Sequence, residues 1–263
     1  MGSVRNIRVE DGIVVGTSGD KYNSRNPIYR FLVNQFERSI ENLVTSVSPN
    51  SFLEIGCGEG HITRILLDST QSKIHATDIS LSVLKETKKT FNTDRISWEV
   101  AKLETYQPIA VSDMVVCCEV LEHLTDPILG LQALSAFGSQ WYLLSVPREP
   151  LWRILNMMRC AYLKDFGNSP GHIQHWSKSS FVRLVIRYFD IIKIMSPIPW
   201  TVLLCRNRTI TRTSEYTGKI KLSVNTLSPF HFILDETDND IHKNVSYRFH
   251  KCLNRYHSMI KFF

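Results

Sequence analysis

The sequence predicts an α/β protein: a three-layer sandwich in which helices cover both faces of a mostly parallel sheet of about seven strands. Two observations point to this class. Short apolar runs of strand length alternate with longer stretches in which apolar side chains recur every three or four residues, which is typical of βαβ units. A glycine-rich turn also joins an early strand to the helix after it. The 263 residues, 43% of them hydrophobic, suffice for one buried core plus an appendage.

The first elements are predicted from local patterns. Pro27 is tolerated in a first helical turn, and Ser80 is a residue type that caps helices. The expected elements are a helix from Pro27 to about Leu43, a strand at Phe52–Ile55, a helix with Ile62, Ile65 and Leu66 on its apolar face, a strand at Lys73–Asp78 and a helix that begins after Ser80.

The alternation continues in the second half of the chain. The expected elements are strands at Arg95–Ala101 and Asp113–Cys118, a helix at Pro127–Ala136, a strand at Trp141–Val146, a helix after Pro147, a break at Gly167–Gly171, a helix at Ser177–Tyr188, and a closing pair of strands at Phe189–Ile194 and Pro199–Cys205. We therefore expect a flexible N-terminal segment over residues 1–20, a domain over 21–205 and a C-terminal extension over 206–263.

Composition narrows the class of protein. The formal net charge is +6, but the basic residues are spread along the chain, so charge alone identifies no partner. The six cysteines lack the spacing of a small secreted disulfide scaffold. We find no signal peptide pattern and no apolar run of the ~18 residues that a membrane-spanning helix needs. We expect a cytoplasmic protein with reduced thiols and no transmembrane segment.

The strongest local motif is the glycine-rich turn. Gly56, Gly58 and Gly60 follow a strand and precede a helix, and Asp78 lies at the end of the next strand, 20 residues after Gly58. A carboxylate placed there can accept hydrogen bonds from both hydroxyls of a ribose. His61 stands where a dinucleotide-binding motif would carry its third glycine.

This combination resembles the cofactor motifs of the class I, Rossmann-like S-adenosylmethionine-dependent methyltransferases, in particular the small-molecule and ubiquinone-biosynthesis type. The resemblance covers about residues 20–205. It implies S-adenosylmethionine as cofactor, with the methionine end near the glycine turn, the ribose on Asp78 and the adenine near Ile79. The implied cofactor-binding residues are Glu54, Gly56, Cys57, Gly58, Gly60, Asp78, Ile79, Lys102, Leu103 and Cys118.

Acidic residues and a histidine follow the fourth predicted strand. Glu119, Glu122 and His123 are spaced so that a helical turn would project them from one face into the crevice above the sheet. Three interpretations remain open: structural residues, a general base at His123, or a divalent metal site formed by Glu119, Glu122 and His123. The metal site is not favoured, although the same run resembles metal-using ubiquinone-biosynthesis O-methyltransferases and small-RNA 3′-end 2′-O-methyltransferases.

A second group of polar residues precedes the helix at Ser177. His172 and His175 can supply a base, a metal ligand or an acceptor contact, while Trp176 can simply anchor the loop. We predict His123, His172 and Glu119 as the catalytic residues.

The helix after Pro147 combines basic and apolar residues, among them Arg153, Arg159, Ile154 and Met158. Such a helix is more often the roof of an acceptor pocket than a membrane-contacting element, but peripheral membrane contact stays open.

The predicted activity is methyl transfer to a small-molecule, glycan or lipid-precursor acceptor. The alternatives are an RNA 2′-O-methyltransferase and a non-catalytic binding protein that keeps the cofactor fold. The fourth strand is followed by Glu119, Val120 and Leu121 rather than by the Asn-Pro-Tyr type of motif that exocyclic-amine methyltransferases of nucleic acids use. DNA adenine methylation is therefore disfavoured.

Overall fold

The computed structural model describes residues 8–10, 13–16 and 26–208, and most of the predicted C-terminal extension lies outside the described residues. Seven strands form one sheet in the order β5-β4-β3-β6-β7-β9-β8. Their bounds are β3 Ser51–Ile55, β4 Lys73–Asp78, β5 Ile96–Val100, β6 Met114–Cys118, β7 Trp141–Pro147, β8 Phe189–Met195 and β9 Trp200–Asn207. The pairs from β5 to β7 are parallel, and β9 pairs antiparallel with both β7 and β8. The predicted seven-stranded, mostly parallel sheet is confirmed.

Six α-helices connect these strands in the described part of the chain. They are α1 Pro27–Thr45, α2 His61–Ser69, α3 Leu81–Lys88, α4 Pro127–Ala136, α5 Leu151–Met158 and α6 Lys178–Val185. Polar caps set several of their starts, because the side chains of Asn26, Ser80, Asp126 and Ser177 accept hydrogen bonds from backbone N–H groups of the first turn. The predicted cap at Ser80 is confirmed.

The core has two parts, one on each face of the sheet. Alternation along β3 sends Phe52 to one face and Leu53 and Ile55 to the other. Helices α1 and α2 pack on the Phe52 face, whereas α4 and α6 pack on the Leu53 face. This is the three-layer sandwich that the sequence predicts.

The N-terminal segment holds a short hairpin that the sequence did not predict. Strands β1, Arg8–Glu10, and β2, Ile13–Val15, pair antiparallel. Strands of three residues are too short to show a periodicity in the sequence. The hairpin is instead recognised in the structure, where it contacts α3 and its cap. Glu10 accepts hydrogen bonds from the hydroxyls of Ser80 and Ser82, and Arg8 forms an ion pair of 2.8 Å with Glu86.

The strand order creates a crevice above the centre of the sheet. From β3 the chain proceeds to β4 and β5 on one side, and then crosses back to β6 on the other. The loops that leave the carboxyl ends of β3 and β6 therefore diverge, and open α/β sheets bind ligands at such a switch point.

Candidate functional site

The glycine turn forms the wall of the crevice after β3. The amide of Gly58 donates to Asp78 Oδ2 at 2.8 Å, and the carbonyl of Gly58 accepts from the Thr87 hydroxyl at 2.8 Å. Both bonds tie the turn to the next βα unit, so the turn and Asp78 form one rigid body.

The glycines of this turn have different tasks. A Cβ added at Gly56 would lie 2.4 Å from a methyl carbon of Val120, so that glycine allows close packing against the loop after β6. A Cβ at Gly58, whose φ is +50°, would meet no atom within 4 Å. Gly58 therefore borders open space at the carboxyl end of β3, where a ligand can lie against the backbone.

Glu54 is a buried acid under the turn. Its carboxylate accepts a hydrogen bond of 2.7 Å from Thr63, and only 2% of the residue is exposed. The pKa of Glu54 is raised to about 7, chiefly by burial; the bond from Thr63 lowers it, and the charge of Asp78 adds to the rise. The group can therefore change charge near neutral pH.

Asp78 ends β4 beside the same space. Its two carboxylate oxygens accept from the amides of Gly58 and Ser80 at 2.8 and 2.9 Å. Burial raises the pKa of Asp78, and the two amide bonds oppose that shift. Each oxygen keeps a further lone pair, so the carboxylate can still accept from a diol.

The other predicted cofactor residues divide into two groups. Ile79 is exposed and directly follows Asp78 at the end of β4, and the Lys102 ammonium lies on the surface, 3.8 Å from the Glu104 carboxylate. Cys57, Cys118 and Leu103 are buried, and Leu103 packs in the core cluster of α4. Burial raises the pKa of both thiols, which makes them neutral wall residues.

Glu119 opens the opposite wall, after β6. Its φ is +59°, so the chain turns left-handed there and does not enter a helical turn. Its carboxylate accepts from the indole N–H of Trp200 at 3.0 Å and from the Ser145 hydroxyl at 3.3 Å. The expectation that Glu119, Glu122 and His123 project from one helical face is therefore wrong, because the helical turn starts only at Leu121.

Glu122 and His123 instead meet His172. One potential ligand atom from each of these three side chains lies within 4.8 Å of the other two. Glu122 is almost fully buried, and the His123 and His172 rings pack edge to face with centroids 4.9 Å apart. His172 thus takes the place of Glu119 in the group predicted from the sequence.

The donor set of this group fits a divalent cation. A carboxylate and two imidazoles are common ligands of zinc and of other first-row metals. The three side chains would have to draw closer together to share one ion. Glu122, His123 and His172 would be the holding residues.

A backbone contact fixes the tautomer of His123. Its Nδ1 lies 2.9 Å from the carbonyl oxygen of Gly171. Because a carbonyl only accepts, Nδ1 carries the proton, and when the ring is neutral its lone pair lies on Nε2. The same loop is held by amides of Ile173 and Gln174 that donate to the Glu122 carbonyl, both at 3.0 Å.

Two buried tryptophans brace the site, and neither was among the predicted site residues. Trp152 stacks near the His172 ring at 5.9 Å and meets Trp200 edge-on at 5.4 Å. Trp200 lies 81 residues from the Glu119 that it binds, so no local motif could identify it.

The remaining histidine of the loop has a structural contact. His175 Nε2 lies 2.9 Å from the side-chain oxygen of Asn168, and Trp176 packs against Phe181 of α6. Trp176 therefore anchors the loop, which is one of the two alternatives predicted for this segment.

Among the described residues, no helix combines the length and apolar character that crossing a bilayer requires.

Comparisons with known proteins agree with this geometry. Residues 53–137 match the family model described as a methyltransferase domain. Over 80 residues the chain is 29% identical to a malonyl-[acyl-carrier protein] O-methyltransferase of Anoxybacillus flavithermus, an alignment that covers 30% of this chain and 31% of that protein. The chain thus spans about a third of the length of this curated relative.

Solved structures share the fold. N-methyltransferase NodS from Bradyrhizobium japonicum, in complex with S-adenosyl-L-homocysteine, superposes with a TM-score of 0.54 at 15% identity and covers 72% of this chain and 92% of its own. Magnesium protoporphyrin IX methyltransferase from Synechocystis gives 0.53 at 15% identity, with 70% and 89% covered. The methyltransferase domain of bacterial CtHen1 gives 0.51 at 21% identity, with 66% and 99% covered.

Proposed function

Because residues 53–137 match a methyltransferase domain and solved methyltransferases share the fold, we propose that the chain is a Rossmann-like, class I S-adenosylmethionine-dependent methyltransferase. We propose that it transfers the methyl group of S-adenosylmethionine to a small-molecule, glycan or lipid-precursor acceptor. The observation that carries the proposal is the open space at Gly58 beside the Asp78 carboxylate, at the switch point of the sheet. When bound, S-adenosylmethionine supplies an electrophilic methyl group on a sulfonium sulfur. We also propose a cytoplasmic location.

The residues of the crevice have distinct tasks in this proposal. Asp78 accepts the ribose hydroxyls, the backbone at Gly58 lies along the cofactor, and Ile79 lies against the adenine. His123 Nε2 takes the proton of the acceptor, because its Nδ1 is already held protonated by the Gly171 carbonyl. Positioning the acceptor atom behind the methyl group supplies most of the rate, on the order of 7–11 kcal/mol of the barrier.

Glu119 has a positioning task rather than the catalytic one expected from sequence. Its carboxylate is engaged by Trp200 and Ser145 and so holds the turn after β6 in its left-handed conformation. We expect this turn to keep the backbone beside the methyl group in place.

The cofactor proposal is tested by calorimetric titration with S-adenosylmethionine and S-adenosylhomocysteine. Asp78→Ala should weaken binding at least about tenfold through loss of the ribose contacts. Asp94→Ala is the matched control, because Asp94 is an exposed acid just before β5, at the opposite end of the sheet. If the folded wild type binds neither compound, the alternative of a non-catalytic binding protein is left.

A second candidate function is 2′-O-methylation of RNA with a divalent metal. The observation that favours it is the group formed by Glu122, His123 and His172, since a metal held there would orient the two hydroxyls of a terminal ribose.

The two candidates differ in measurable ways. Transfer of labelled methyl groups to cell extract fractions, with and without chelator, separates a small organic product from methylated RNA. The RNA candidate requires chelator-sensitive labelling that ribonuclease removes, and binding to RNA that weakens steeply with salt. Chelator-resistant labelling of a small organic compound supports the first proposal.

A further inference from the structure

Helix α5 has two unlike faces. Trp152 and Asn156 are buried, and the Trp152 ring lies beside that of His172. Ile154, Met157 and Met158 on the other side are exposed, Met158 to 76%. An apolar face of this kind, turned to solvent, is uncommon on a helix that covers a pocket.

The turn after α5 extends the same surface. Arg153 Nε donates to the carbonyl of Phe166 at 3.0 Å, and a Cβ built at Gly167 would lie 2.9 Å from Met157 Cγ. The chain up to Gly167 therefore lies directly beside the exposed face of α5. Leu163 and Phe166, three residues apart on a tight turn, are 56% and 72% exposed. We name this surface the α5 patch, and its apolar members are Ile154, Met157, Met158, Leu163 and Phe166.

Basic residues border the α5 patch. Arg153, Arg159 and Lys164 lie within or beside it, and Asp165 is the one acid between Arg153 and Phe166. The Arg159 guanidinium lies 5.3 Å from the centre of the Tyr29 ring, which links the patch to the start of α1. Apolar side chains ringed by cations match the acyl boundary and the phosphate layer of an anionic bilayer.

We propose that the α5 patch docks the protein on the surface of an anionic lipid bilayer. The apolar side chains enter the boundary between headgroups and acyl chains, and the three cations contact lipid phosphates. On the inner side of the same helix, Trp152 stacks near His172, so docking brings the acceptor side of the crevice to the membrane. Docking of this kind does not depend on methyl transfer.

The test is sedimentation of the full chain with vesicles of phosphatidylcholine alone, or of three parts phosphatidylcholine to one part phosphatidylglycerol. We expect binding to the anionic vesicles that weakens in high salt, because the phosphate contacts are screened. The double variant Met158→Ser and Phe166→Ser should bind at least about tenfold more weakly, since two inserted side chains are lost.

The matched control is the double variant Ile109→Ser and Val111→Ser. These side chains are 98% and 66% exposed in the loop before β6, at the other end of the sheet, and their loss should leave vesicle binding unchanged. Wild-type protein that does not bind anionic vesicles overturns the proposal, as does an equal loss in both double variants. Patch-dependent dimers in light scattering, without vesicle binding, would assign the surface to a second copy instead.

The same preparations are titrated with S-adenosylhomocysteine. Retained binding shows that a variant is folded. Vesicle binding by a protein that does not bind S-adenosylhomocysteine would overturn the proposed function and leave the docking surface standing.

Discussion

The two walls of the crevice are held together in different ways. In the wall after β3, the bonds join residues close in sequence: Thr63 to Glu54 over 9 positions and Gly58 to Asp78 over 20. In the wall after β6, they join distant segments: His123 to Gly171 over 48 positions and Trp200 to Glu119 over 81. The bonds of the first wall form within consecutive βα units, whereas those of the second need both β9 and the segment between β7 and α6. We therefore expect changes in one wall to leave the other largely intact.

The largest effect is expected for His123→Ala. Loss of the base should lower the rate of methyl transfer by about 10² to 10⁴-fold, while affinity for S-adenosylhomocysteine stays unchanged. Single-turnover transfer and calorimetry measure the two quantities. His75→Ala is the control, because His75 bonds to Ser97 and Glu99 on β5, away from the crevice. Equal losses in both variants would contradict a role for His123 in the reaction.

Next in size is the pH dependence caused by Glu54. Its pKa is about 7 in the folded protein, against an ordinary value of 4.5, so the stabilising contribution is complete below pH 4.5 and is lost as the pH rises through 7. The free energy of unfolding should fall by up to about 3 kcal/mol over that range. Urea unfolding of wild type and Glu54→Gln at several pH values measures it. A wild-type profile no steeper than that of Glu54→Gln would contradict the raised pKa.

A smaller effect is expected for Trp200→Phe. The variant keeps an aromatic ring against Phe36, whose ring centre lies 4.6 Å from that of Trp200, and removes the N–H that Glu119 accepts. The free energy of unfolding should fall by about 2 kcal/mol, with cofactor affinity unchanged. Trp141→Phe, whose ring contacts Arg206 at the other end of β7, is the control. A large loss of cofactor affinity in Trp200→Phe would show that the walls are coupled.

The smallest effect expected is that of Gly58→Ala on cofactor affinity, about tenfold or 1.4 kcal/mol, because the new methyl group enters the space beside Asp78. Gly138→Ala is the matched control. Its φ is +76° and its Cβ would approach only Val111, at 3.8 Å. Both variants should lose about 1–2 kcal/mol of stability from backbone strain, and only Gly58→Ala should lose S-adenosylhomocysteine affinity in calorimetry.

The same contrast explains how much the sequence could predict. The strands, the cap at Ser80 and the turn around Gly58 followed from periodicity and spacing, because local chemistry specifies them. The wall after β6 could not be predicted in full from the sequence. Nothing near Glu119 indicates that a tryptophan in the last strand holds its carboxylate, and spacing alone suggested a helical turn that the left-handed φ of Glu119 prevents. His172 was identified as a candidate, but its meeting with Glu122 depends on how the loop folds back.

The hydrogen bond between His123 and Gly171 couples the choice of acceptor to the proton chemistry of the site. The segment that covers the acceptor also supplies the carbonyl that sets which ring nitrogen of His123 carries the proton. Exchanging that segment for one from a relative would therefore alter the proton chemistry of the site together with the choice of acceptor. Evolution toward a new acceptor through this loop would have to retain a carbonyl near position 171 or find another base.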